Sequence, residues 1–412
     1  MELQEIPKVM GVLIVGTGGS GCAAALEAKK ITDNVQMITK GKFLDSKTAN
    51  AQGGIQASIG KDDSPENHIE DTLKAGEYQN NKKLVEILSY NAFSAIQWLE
   101  NVGVEFDKEG EDYYLQNAGG LSHPRILSCG DKSGNRLMNP IRKAILDNNI
   151  NVAEYTTITH IEDLNGSFKV TLQNVITAEI SVHYTKSIIL ATGGFIPEDM
   201  QIGLSQRTEI KALNTFDLAK MMNLKLMKQD LVQYHPTGII SPRELRRNRI
   251  PETVRSAGAT LLNKDLEEFC NPLDTRNKLT NRIIKECKDG NGISTEDGRM
   301  GVWLNTPIID ELKGKGYLAD KFPILYESFI NVGLDIAESM VLIYPILHYS
   351  LGGIIIDEHT STNKKGIFAV GEATYGVHGN DRLMGNSLLE IFVFGRISGK
   401  KAAEFSLANN QN

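Results

Sequence analysis

The sequence is poor in cysteine. Its 412 residues carry four, Cys22, Cys129, Cys270 and Cys287. None falls in a C-x-x-C pair or a C-x-x-C-H haem site, which excludes those iron–sulfur and c-type haem signatures and gives no reason to expect a metal site. Isolated cysteines in a chain this long point to a reducing compartment rather than a disulfide framework. No apolar run approaches the roughly 18–20 residues needed to cross a bilayer, so no transmembrane segment is expected. The opening MELQEIPKVMGVLIVG lacks the basic n-region and long apolar h-region of a signal peptide. The expected location is cytoplasmic, and any attachment at the inner membrane would run through a partner. An excess of positive charge is also lacking, with 44 Lys and Arg against 51 Asp and Glu. The net charge is −7 and the pI about 5.7, which argues against nucleic acid as a general partner. The one basic run, with Arg243, Arg246, Arg247 and Arg249, reads as a solvated loop or helix face, with an acidic docking partner as the lesser alternative.

Glycine, by contrast, is plentiful. The 38 glycines cluster in motifs rather than in a low-complexity tract, the pattern of tight turns where backbone approaches a ligand. The apolar run Val12 to Val15 leads into Gly16-Thr17-Gly18-Gly19-Ser20-Gly21, an alanine-rich helix to about Lys30, and a second strand over 35–39. This is a G-x-G-x-x-G between strand and helix. The first glycine allows the turn, the second lets backbone approach a pyrophosphate, and the third lets helix and strand pack closely. The helix N-terminus then favours the phosphates. The second strand ends Ile38-Thr39-Lys40 without the acid that many NAD sites, and many FAD sites, place there. Ala51-Gln52-Gly53-Gly54-Ile55 and Ala191-Thr192-Gly193-Gly194 add two further glycine motifs and favour FAD over NAD.

Residues 66–105 carry apolar residues at helical spacing, and 151–185 read as short strands around the turn Asn165-Gly166. Ser187 to Ala191 is an apolar strand. From about 236 to 345 the composition shifts towards charge and longer loops. Ile354 to Ile356 and Ile367 to Val370 restore short buried strands, and Ser387 to Leu407 reads as a helix. There are no internal repeats. The fold class is therefore α/β, a Rossmann-like FAD-binding domain over 1–235 and 346–412, interrupted by an inserted α+β capping domain over 236–345.

Several segments, in order along nearly the whole chain, resemble the flavoprotein subunits of succinate dehydrogenase and fumarate reductase, together with L-aspartate oxidase. They are SKTANAQGGI (46–55), SHPRILSCGDKSGNRL (122–137), ATGG (191–194), VQYHPTGI (232–239), LDTRNKLTNRI (273–283), LHYSLGGI (347–354) and GIFAVGEATYGVHGNDRLMGNSLLE (366–390). The resemblance implies a glutathione-reductase-like FAD domain, without the C-terminal helical domain of many relatives. It implies that Ser46, Thr48, Gln52, Gly53, Gly54, Glu372, Asn386, Ser387 and Leu388 line the flavin. Lys40, Ala191, Thr192, Gly193 and Asp217 complete the expected cofactor-binding set with Gly16, Gly18, Gly19 and Gly21. Covalent relatives attach FAD through the histidine of an S-H-T triplet. Here the triplet is Ser46-Lys47-Thr48, so FAD is expected to be non-covalent, which in this family goes with fumarate reduction more readily than succinate oxidation.

A C4 dicarboxylate carries two negative charges, and holding it needs cationic or hydrogen-bonding groups at both ends. By the resemblance, His235, His348 and Arg382 bind the substrate carboxylates. Arg276 donates the proton, and Glu252 and Arg255 form its relay as E-x-x-R, one face of a helix. Electrons are expected from a separate iron–sulfur or other electron-transfer protein. The pattern departs from the family at Pro251, where a threonine is usual, and at RSAGA (255–259) in place of R-G-E-G-G. Aspartate oxidation to iminoaspartate is the second candidate activity. That enzyme places a glutamate near the substrate amino group, where this sequence has Ala118. A third alternative is an FAD-holding electron-transfer subunit without chemistry of its own.

Overall fold

The computed structural model describes residues 5–43, 45–130, 133–195, 212–246 and 248–408. Its first strand, Val9–Val15, is apolar throughout and buried from Met10 onward. A parallel strand covered on both faces requires such a run. It pairs in parallel with Val35–Ile38 on one side and Ile180–Leu190 on the other, and Asn151–Ala153 extends the sheet beyond Val35–Ile38. The strand Ile180–Leu190 serves two neighbours in succession. Its first half closes an antiparallel ladder with Phe168–Asn174, and Ile188 to Leu190 run parallel to Ile367–Ala369. Thr156–Asp163 completes the seven strands. The tight turn before Phe168–Asn174 places Asn165 and Gly166 at φ 58° and 139°, the left-handed region these two residues tolerate best.

The first helix, Gly19–Lys29, is buried on nearly every side, as a helix with no polar face must be. It packs against the sheet and against the last helix, Asn386–Ala408. The approach is close because the last helix offers glycine. A Cβ added at Gly399 would lie 2.0 Å from the carbonyl oxygen of Ala24, and one at Gly395 would lie 2.7 Å from that of Ser20. The helical stretch expected over 66–105 divides into Pro65–Ala75, Lys82–Tyr90 and Ala92–Asn101. Ser64 caps the first by accepting from Asn67 N, and Asn81 caps the second by accepting from Lys83 N.

A second sheet pairs Val232–Ser241 antiparallel with Val341–Ser350, then Met300–Asn305 and Thr260–Leu262, with Ile293–Ser294 at its side. It has its own apolar core, whose buried members all fall between Ile239 and Ile343. The two longest strands of this sheet run across the positions where the composition shifts, 235/236 and 345/346. The chain therefore passes between the two cores inside continuous strands rather than through loose linkers. Among the described residues no helix is long and apolar enough to cross a membrane.

The contact between the first and last helices is testable. Gly399→Ala forces a methyl group onto the Ala24 carbonyl, an overpacking cost of about 1–3 kcal/mol. Thermal unfolding should shift down by roughly 1–4 °C, and an unchanged midpoint would contradict this packing.

Candidate active site

The glycine motifs meet at one edge of the parallel sheet. Gly16 has φ +111°, and a Cβ there would stand 2.2 Å from the carbonyl oxygen of Ala191. A Cβ at Gly21 would stand 2.0 Å from the carbonyl oxygen of Gly16. The turn is thus closed tightly onto the end of Ile180–Leu190. Gly18 and Gly193 behave oppositely. Among the described residues, a Cβ at Gly193 meets nothing within 4 Å, and one at Gly18 meets only Thr48 Oγ1 at 3.5 Å and Ser46 Cβ at 4.0 Å. Their backbone borders open space, as the cradle of a pyrophosphate requires. Gly19 N donates to Thr48 Oγ1 (3.1 Å), Ala49 N donates to Ser46 Oγ (3.1 Å), and the Thr215 hydroxyl donates to Gly193 O (2.5 Å) and lies 2.6 Å from Thr192 Oγ1. Gly54 packs on Leu127, Gly53 lies near Met384, and Gln52 is half-buried on the same segment. Closed turns beside open backbone fit a dinucleotide such as FAD.

Lys47 Nζ is 3.2 Å from both carboxylate oxygens of Glu372, and Ser350 N donates to Glu372 Oε1 (3.0 Å). Lys40 is exposed at the end of the second strand, and Leu388 is buried in the last helix. Two expected cofactor side chains are engaged elsewhere. Asp217 closes a capping box, accepting from Asn214 N (3.2 Å) and Nδ2 (2.6 Å). The Asn386 amide is buried between His68 Nε2 (2.7 Å) and Thr72 Oγ1 (2.9 Å), tying the last helix to Pro65–Ala75.

The residues expected to face the substrate converge from four elements. His235 on Val232–Ser241 and His348 on Val341–Ser350 meet edge to face, with ring centroids 5.3 Å apart. Thr237 N donates to His235 Nδ1 (3.4 Å). Burial lowers the pKa of both imidazoles well below its ordinary value, and nearby guanidiniums reinforce this: Arg276 first at His235, Arg249 first at His348.

Arg276 is the first residue of the helix Arg276–Lys288. Its Nε donates to Glu252 Oε2 (2.9 Å) and its Nη1 to Gln233 Oε1 (3.1 Å). Nη2 has no protein hydrogen-bond partner among the described residues. Glu252 opens the short helix Glu252–Ser256, and its Oε1 accepts from Gly119 N (3.2 Å). The i,i+3 spacing brings Arg255 Nη2 to 3.6 Å from Glu252 Oε2. Burial works to raise the Glu252 pKa, but the charges of Arg276 and Arg255 and the Arg276 hydrogen bond outweigh it, so the carboxyl ends below its ordinary value. Arg255 Nε donates to Pro272 O (2.9 Å).

Arg382 precedes the last helix. Its guanidinium lies 4.4 Å from the Tyr349 ring centroid, and Nη1 donates to Leu383 O (3.3 Å) and Ser387 Oγ (3.2 Å). Its Nε is buried without a hydrogen-bond partner among the described residues. Burial, then the charge of Arg276, lowers its pKa to about 10.

Sequence reasoning missed three members of this cluster. Gln233 Nε2 donates to Asp381 Oδ1 (2.5 Å) and Arg382 O (2.8 Å), so this one amide joins Arg276 to the Arg382 segment. Asp381 also accepts from Asn277 N (3.0 Å). Both lie inside the quoted segments, two residues before His235 and one before Arg382, which was the available signal. Arg249 is a correction. The basic run predicts a solvated face for it, but the structure half-buries it, and its charge acts on His235, His348 and Arg276. Of the rest of that run, Arg243 is exposed, Arg246 pairs with Asp297 (2.6 Å), and Arg247 lies outside the described residues. The charges of four guanidiniums, Arg276, Arg249, Arg255 and Arg382, thus all act on His235, while the Glu252 carboxylate lies among Arg276, Arg255 and Arg382.

Comparison with known proteins identifies the family. A family described as FAD binding domain matches residues 11–388. The fumarate reductase (CoM/CoB) of Methanothermobacter marburgensis contributes a chain that is 32% identical, over 97% of this chain and 73% of that protein. An L-aspartate oxidase of Yersinia pestis is 31% identical, over 94% of this chain and 74% of that protein. The solved quinol fumarate reductase of E. coli superposes with a TM-score of 0.86 at 27% identity, covering 97% of this chain and 70% of that one. The chain belongs to the FAD binding domain family and is an FAD-dependent oxidoreductase of the fumarate reductase and succinate dehydrogenase flavoprotein group.

Proposed function

We propose that this chain transfers a hydride between non-covalent FAD and a C4 dicarboxylate of the fumarate/succinate type, with Arg276 as proton donor. The parallel sheet is then the glutathione-reductase-like FAD domain, and the second sheet its cap. One observation carries the reading. Arg276 is pinned at Nε by Glu252 and at Nη1 by Gln233, with Nη2 left for a ligand, inside a buried cluster whose guanidiniums outnumber its carboxylates. Such a cluster calls for an anion, and a dianion balances it.

Bound FAD supplies the hydride chemistry. The chain's own residues do the rest. His235 and His348 present neutral imidazole N–H groups to carboxylate oxygens, and Arg382 offers a charge-assisted contact. Arg276 delivers a proton to the substrate carbon that does not receive the hydride. An arginine is a weak acid, so it serves only a strongly basic, carbanion-like centre. Glu252 and Arg255 hold it in place and return the proton. Burial of the whole set excludes water and strengthens each contact. A separate electron-transfer protein is the partner this reading requires.

Aspartate oxidation is the second reading, favoured by relatives with that activity in their names. Against it, Ala118 is a buried methyl packed with Ile126 and Met384, and the adjacent Gly119 N–H touches Glu252. No carboxylate stands at position 118 to receive an ammonium group.

With a reduced dye as donor, fumarate should reoxidise the dye through the wild-type protein, and Arg276→Ala should lower kcat by about 100- to 10,000-fold at unchanged FAD content. Equal activity of the variant would remove Arg276 from the chemistry. Aspartate should give no hydrogen peroxide above background; rapid aspartate-dependent peroxide formation would install the second reading. Acid precipitation should release all the flavin into the supernatant, and flavin that stays with the pellet would contradict non-covalent binding.

A further inference from the structure

We propose that Arg249 is a direct anion ligand of the substrate and sets the preference of this site for dianions. The inference rests on the dicarboxylate reading above and deepens it.

The ladder around Arg249 fixes its direction. Ile250 N donates to Thr237 O (2.9 Å), the Thr237 hydroxyl donates to Ile250 O (2.7 Å), and Ile239 N donates to Asn248 O (3.0 Å). Residues 248–250 therefore run antiparallel beside 237–239, with Arg249 bridged to Gly238. Ile250 is fully buried in the core of the second sheet. Alternation along an extended segment sends the Arg249 side chain to the opposite face. No side chain stands across the bridge from it, because Gly238 has none.

The guanidinium is half-buried, yet it forms no hydrogen bond or ion pair with a described residue. Burial, then the charge of Arg276, lowers its pKa to about 10. Both imidazoles of the site feel its charge. The Glu252 carboxylate is taken by Arg276 and Arg255, and Asp381 by Gln233 and Asn277. Arg249 is thus a cation held beside the substrate histidines, with the nearby carboxylates already engaged by others. Pro251, two residues on, offers no side-chain donor. A substrate carboxylate is the partner that completes it, through a charge-assisted contact.

The test is a titration of the oxidised flavin spectrum of the FAD-loaded protein with fumarate, for wild type, Arg249→Gln and Arg249→Lys. Arg249→Gln should raise the fumarate Kd about 10- to 100-fold, whereas Arg249→Lys, which keeps the charge, should recover most of the loss. The wild-type Kd should also rise more steeply with salt than that of Arg249→Gln. Thermal unfolding and FAD content should be the same in all three, which separates ligation from folding. A fumarate Kd unchanged in Arg249→Gln overturns this inference while leaving the dicarboxylate reading intact. A wild-type spectrum that answers to no dicarboxylate overturns both.

Discussion

Glu252 is buried, and both Arg276 and Arg255 turn to it. A carboxylate in such a place must be paired, because an unpaired buried charge costs several kcal/mol. The pairing constrains three side chains at once. It draws the start of Arg276–Lys288 towards Glu252–Ser256, and it fixes which face of the Arg276 guanidinium is left over. A cation on the first turn of a helix is opposed by the helix dipole. Glu252 offsets that cost, and its own position at a helix start is favourable. The rest of the site is arranged around this buried pair.

The fold brings the parts together through strands that belong to both halves. Val232–Ser241 starts outside the second apolar core and ends inside it at Ile239, and Val341–Ser350 starts inside that core and ends where Ser350 N donates to Glu372 Oε1. His235 and His348 lie on these two strands, so their edge-to-face contact is set by sheet register rather than by loop conformation. Gln233 on the first strand then reaches Arg276 from one side and the Asp381–Arg382 segment from the other. Rigid elements hold the groups at defined separations, which is what orientation-dependent hydride and proton transfer demands. On the far side, Tyr349 backs Arg382, and its hydroxyl sits 3.3 Å from Glu390 Oε2, which also lies 2.9 Å from His378 Nε2. That buried network fixes the tyrosine ring against which the guanidinium stacks.

Much of this was legible in the sequence because it is local. The G-x-G-x-x-G turn needs glycine at Gly16 and Gly21 for steric reasons that act within a few residues or against one neighbouring strand. The E-x-x-R spacing of Glu252 and Arg255 is a helical neighbour relation. What was not legible depends on register between distant segments. Arg249 looks like one more member of a basic surface run until the ladder with 237–239 turns it inward. Gln233 reads as an ordinary strand residue until two distant segments reach it. Asp217 and Asn386 carry polar side chains in the right segments, but a helix cap and a tie to His68 and Thr72 use them. Composition suggested a change near 236 and 345 but could not show that unbroken strands run through both positions.

The most direct test is a crystal structure of the FAD-loaded protein with a bound dicarboxylate. The expected result is an anion lying between the flavin ring and Arg276, with His235, His348 and Arg382 on its carboxylates and Glu252 still paired to Arg276. An Arg276 guanidinium pointing away from the flavin, with no anion-sized space between them, would contradict the central claim.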